Sequence, residues 1–95
     1  IDGFYSRMYS DGRIYIPQDI VKKRRLKQND IVLVKGIEDN RVVREKYSKV
    51  CAVVRKKRDQ LEYTCVFDKN FCDRKLVFKI ENKKHKNQKS QLGPS

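Results

Sequence analysis

Apolar and polar residues alternate along most of this chain, and the alternation breaks at a few well-marked turns. The segment "FYSRMYSDGRIYIP", Phe4 to Pro17, reads as two short strands around a turn at Asp11-Gly12, where glycine supplies the positive φ that tight hairpins need. Beyond the turn, Ile14 and Ile16 point to one face and Arg13 and Tyr15 to the other, the period of a half-buried strand. Pro17 ends that strand and can open a helix at its first turn. Gln18 to Arg25 has room for about two helical turns, with Asp19 near its start and cations near its end, as the helix dipole favours. Its apolar face is thin (Ile20 and Val21, with Leu26 just beyond), so its neighbours must dock it. "NDIVLVKG" then predicts a strand, "IEDN" a turn and "RVVRE" a partner strand, giving hairpin, helix, hairpin.

From Lys46 the pattern changes to three alternating runs, "KVCAVVRK", "LEYTCVF" and "KLVFKIE". Leu61, Tyr63, Cys65 and Phe67 share one face; Leu76, Phe78 and Ile80 share another. The connectors "KKRDQ" and "DKNFCDR" are polar and turn-like, so residues 47–81 are expected to form a three-stranded antiparallel meander. Residues 82–95 lack apolar periodicity and are expected to be a basic, disordered tail.

Composition changes the picture in two ways. With 38% hydrophobic and 38% charged residues in 95, a lone protomer would struggle to bury enough surface against its chain entropy, so a partner is expected. The 24 Lys and Arg against 12 Asp and Glu give a formal net charge of +12, a long-range attraction for phosphate polymers. Lys-rich surfaces of heat-adapted proteins carry Glu to match; here acids are half as numerous as cations. No apolar run is long enough to span a membrane and no secretory leader pattern opens the chain. The three cysteines include no C-x-x-C pair, so a reducing cytoplasm is expected.

The stretch "GRIYIPQDIVKKRRLKQNDIVLV" resembles the SpoVT/AbrB-type swapped-hairpin domain of AbrB-like regulators and MazE-like antitoxins. The resemblance rests on Gly12, Arg13, Ile14, Ile16, Pro17, Ile20, Leu26, Lys27, Asp30, Val32 and Val34 in register, and covers about residues 4–46. It departs at Arg24, where the family buries a Leu, at Arg25, where a Gly ends the helix, and at Asn29 in place of a Gly. The resemblance implies an intertwined, barrel-like homodimer in which each protomer's hairpins complete the other's sheet. The expected fold is therefore mainly β with one short helix: residues 1–46 an AbrB-like swapped-hairpin domain, 47–81 the meander, 82–95 the tail. It also implies DNA contacts from Arg13, Lys22 and Arg7.

Charge and expected exposure add Lys23 and Arg25, since the run Lys22 to Arg25 has no acid three or four residues on to neutralise it. A second basic block, Arg55, Lys56, Lys57 and Arg58, falls at a hairpin tip that could enter a groove. Phe4, Tyr5, Tyr9 and Tyr15 lie among the cations and are expected in the core or a dimer interface rather than as base-stacking platforms. Cys51, Cys65, Cys72 and His85 match no paired zinc spacing, so no metal is expected. No nucleophile–base set or glycine-rich phosphate loop is visible, so no enzyme, cofactor or small-molecule substrate is expected.

Three functions compete: a homodimeric transcription regulator on double-stranded DNA, which the resemblance ranks first, an RNA-binding structural component of a ribonucleoprotein such as the ribosome as the alternative, and a toxin-neutralising antitoxin. The charge distribution favours the second, because residues up to Glu45 hold ten cations against seven acids and those from Lys46 hold fourteen against five. A basic, strand-rich second half ranks the antitoxin last, since antitoxin tails in this family are usually flexible and often acidic.

Overall fold

Turn chemistry decides where the chain reverses. Gly12 sits at φ 90°, and Asp39 and Asn40 at 53° and 64°, both positive as a two-residue hairpin turn requires. Arg25 ends the helix in the left-handed region at φ 53°, the position a glycine commonly takes, and Asn29 adopts φ 74°. The computed structural model describes residues 3–57 and 59–83. In chain order it contains β1 (Phe4–Tyr5), β2 (Arg13–Ile16), α1 (Gln18–Arg24), β3 (Ile31–Glu38), β4 (Arg41–Lys49), β5 (Cys51–Arg55), β6 (Gln60–Val66) and β7 (Val77–Asn82). A 3-10 turn, Lys69–Phe71, precedes β7.

These strands form two antiparallel sheets, ordered β1-β7-β3-β4 and β2-β6-β5, rather than one closed barrel. The helix and the β3–β4 hairpin lie where the pattern predicts them. Two expectations fail. The first hairpin shrinks to one bridge, Met8 to Ile14, because β2 takes β6 as its partner while β1 joins β7, with Phe4 against Phe78 at 6.0 Å between ring centroids. The meander also fails: β5 pairs with β6, but β7 leaves them and inserts between β1 and β3. The reason is burial, since Leu76, Phe78 and Ile80 are 1% exposed and extend the buried side that Val32 and Val34 of β3 begin. The expected division after residue 46 falls inside β4. Asn82 belongs to β7, and residues 84–95 of the expected tail lie outside the described residues.

One core serves both halves of the chain. It combines Ile14, Ile16, Val32 and Val34 with Cys65, Phe67, Phe78 and Ile80, and α1 adds Ile20 and Val21. Phe67 is central: its ring meets Phe78 and Phe71 edge-on at 5.3 and 5.9 Å, and a Cβ on Gly36 would come within 2.7 Å of it. Glycine at this point of β3 lets the ring lie against the strand. Along the seam between β4 and β6, side chains take over from the backbone ladder. Ser48 Oγ accepts from Val66 N at 3.0 Å, and Arg44 Nε meets Asp68 Oδ2 at 2.9 Å. The helix is tied at both ends, by Gln18 Nε2 donating to the Leu61 carbonyl at 2.8 Å and by Asn82 Nδ2 donating to the Arg24 carbonyl at 3.0 Å. Asp30 accepts from Lys27 N at 2.8 Å and holds the loop after the helix.

Candidate nucleic-acid interface

Strand register assembles a basic and aromatic surface from distant parts of the sequence. In the three-stranded sheet, Arg13 stands opposite Val66, and Tyr15, Thr64 and Cys51 form the next row. Val53 with Glu62, and Arg55 with Gln60, continue the same side. Because Ile14 and Cys65 of the intervening row are buried, this side faces outward. Continuing the register of the Met8–Ile14 bridge sets Arg7 beside Tyr15 and Tyr9 beside Arg13. The Tyr9 and Tyr15 rings confirm the placement, meeting edge-on at 5.5 Å. Lys49, at the end of β4, reaches the same surface and lines a concavity of about 250 Å³ with Arg13, Tyr15, Val53 and Val66.

Arg7, Arg13 and Arg55 of the expected contacts thus come together, although the last is far from the others in sequence. Two acids lie among them. Asp11 Oδ2 is 3.1 Å from Arg13 and Glu62 Oε2 is 2.8 Å from Arg55, both on partly exposed side chains where an ion pair adds little stability. The Tyr9 side-chain hydrogen bond, with burial, pushes the Tyr15 phenol above its ordinary value.

The other expected contacts lie elsewhere. Lys22, Lys23 and Arg25 are exposed on α1 and its C-terminal cap, at the end of the molecule where Asn82 meets Arg24. Lys83 lies at that end too, its ammonium 5.2 Å from the centre of the Tyr47 ring. Lys56 and Lys57 are exposed in the β5–β6 turn just beyond Arg55, while Arg58 lies outside the described residues. Of the aromatics expected in the core or an interface, Phe4 packs on the core, while Tyr5 and Tyr9 are 60% and 44% exposed in the single chain. Lys49 was not legible as a contact, because its neighbours on the surface come from β2 and β6. The alternation of Arg13 and Tyr15 with Ile14 and Ile16 did mark an outward side of β2.

The cysteines are separated by their surroundings. Burial pushes the Cys65 thiol up to about 12, against a weaker opposing hydrogen bond from Ser48, whereas Cys51 and Cys72 are exposed. His85 lies outside the described residues. No family model matches this chain, and neither a curated protein nor a solved structure matches it.

Proposed function

We propose that this chain is a nucleic-acid-binding protein that meets its ligand on the outer side of the three-stranded sheet. The observation that carries the reading is the gathering of Arg7, Arg13, Lys49 and Arg55 around Tyr9 and Tyr15 on a chain of formal charge +12. Arginines suit phosphate through their planar, always-charged fork. Each phosphate they neutralise releases condensed counterions, so affinity should fall steeply with salt.

The AbrB-type resemblance supports the same reading, because the turn arginine it marks as a contact, Arg13, lies on this surface. Its finer form, a homodimeric regulator on double-stranded DNA, has a partner's strands completing each sheet. In this chain β6 runs beside β2 and β7 beside β3, so a second copy would join at a sheet edge, of which β1 and β5 are the least covered by the chain's own strands. A ribonucleoprotein role draws on the surplus of cations after Lys46.

The test is a competition between labelled duplex DNA and structured RNA at matched ionic strength, repeated with the double variant Arg13→Glu and Arg55→Glu. Binding with a steep salt dependence is expected, and the variant should lose at least about tenfold in affinity with a shallower slope, by about one per lost phosphate contact. Absence of binding to either polymer near physiological salt would overturn the proposal.

A further inference from the structure

Two adjoining hollows sit on the proposed surface, and their walls are more apolar than a phosphate backbone requires. The first, of about 250 Å³, sets Val53 and Val66 beside Tyr15. The second, of about 230 Å³, sets Pro17 and Leu61 beside the other flank of Tyr15, with the amides of Gln18 and Gln60 at its margin. Tyr15 and Glu62 line both. We infer that this surface binds an unpaired stretch of nucleic acid, seating two neighbouring bases in these hollows on either side of Tyr15.

The inference rests on the nucleic-acid reading above and deepens it. Val53 and Val66 are 52% and 42% exposed beside Arg13 and Lys49 on the outward side. Leu61, 44% exposed on the opposite side of β6, reaches the second hollow past the end of β2, so apolar surface lies open to water at both hollows. A duplex would leave it uncovered, because paired bases stack on each other and show the protein charged backbone and polar edges. An unpaired base has flat faces that cover apolar side chains and aromatic rings, and an edge that hydrogen-bonds. Glu62 and the glutamine amides supply partners for such edges: a carboxylate accepts from the exocyclic amine of cytosine, and a side-chain amide both donates to and accepts from adenine. Arg13 and Lys49 at the first hollow and Arg55 at the second are placed for the phosphates that join the bases. The charge reading and the apolar reading thus ask for one ligand.

The experiment uses the full chain and a labelled mixed-sequence 12-mer, single-stranded and then annealed to its complement, followed by fluorescence anisotropy at one salt concentration. The single strand is expected to bind at least about tenfold tighter than the duplex. Tyr15→Ala should cost the single strand between about fivefold and a hundredfold, the range for one lost stacking partner, while Tyr15→Phe keeps most of the affinity. With no Trp in the chain, emission comes from its five tyrosines and should fall in part as the single strand is added, by less in Tyr15→Phe. Should Tyr15→Ala unfold, the exposed Leu61→Ser variant carries the same test. Equal or tighter duplex binding with no loss in these variants would overturn the inference and leave the nucleic-acid proposal standing. Failure of both forms to bind would remove both.

Discussion

The outer sides of the two sheets share a backbone plan and differ in what they display. On the four-stranded sheet, Tyr5, Val77, Ile37 and Val42 run across the strands in one row, followed by Lys79, Lys35 and Glu45, then Glu81, Leu33 and Tyr47. In these three rows two lysines meet two glutamates: Lys35 and Glu81 pair at 2.8 Å, and that bond raises the Lys35 pKa. The next row adds Lys83 and Lys49 at the end nearest the other sheet. Beside it Arg74 clasps Glu38, which lowers the carboxyl and raises the guanidinium. The three-stranded sheet instead carries Arg7, Arg13, Lys49 and Arg55 against Asp11 and Glu62. The contrast teaches that net charge alone does not locate a binding surface. A sheet face becomes attractive to a polyanion where cations outnumber the acids beside them; the three-stranded face meets that condition with arginines, whereas the rows of the four-stranded face carry lysines.

The sharpest way to break the contrast is to remove what holds the two faces together. Phe67→Ala should destabilise the fold by about 3–5 kcal/mol, a large share of a small domain's stability. Since Phe67 belongs to the core common to both sheets, one cooperative unfolding transition at lower denaturant is expected rather than two. Survival of one sheet's signal in circular dichroism would show that the faces are independently supported.

An intermediate effect is expected from alkali. The folded Cys65 thiol ionises at about 12 against an ordinary 9.0, so the folded state holds a proton that the unfolded state releases earlier. Stability is fully present below pH 9.0 and declines as pH rises toward 12, by at most about 4 kcal/mol. Cys65→Ala should flatten that decline while costing some packing, which denaturant melts at pH 8 and pH 10.5 can separate. Smallest is Asn82→Ala, which removes the bond from β7 to the Arg24 carbonyl and should cost about 1 kcal/mol. This variant should loosen the helix end that carries Lys22, Lys23 and Arg25, seen as faster amide exchange, and leave the three-stranded surface unchanged.

Local features were legible in the sequence, and long-range partners were not. Asp39 and Asn40 announced the β3–β4 hairpin because their neighbours alternate in step and these residue types tolerate positive φ. Pro17, Asp19 and the cations after them marked α1 to within one residue. Alternation also told correctly that Leu76, Phe78 and Ile80 share a side. A period of two says which way a side chain points but not which strand lies alongside. Nothing near β7 specifies that β3, more than forty residues earlier, is its neighbour. The candidate surface divides in the same way. Arg13 and Tyr15 were readable as outward residues of one strand, while Lys49, Glu62 and Val66 join them only through pairings the local pattern does not encode.

The position of β7 has a consequence for how the molecule is made. This strand is the last of those described to leave the ribosome, yet it fills an interior slot of the four-stranded sheet. Until it emerges, β1 has no neighbour and β3 exposes the edge that β7 will take. The nascent chain must therefore wait with a sticky, half-built layer, and ordering of the four-stranded sheet is expected to follow the emergence of β7.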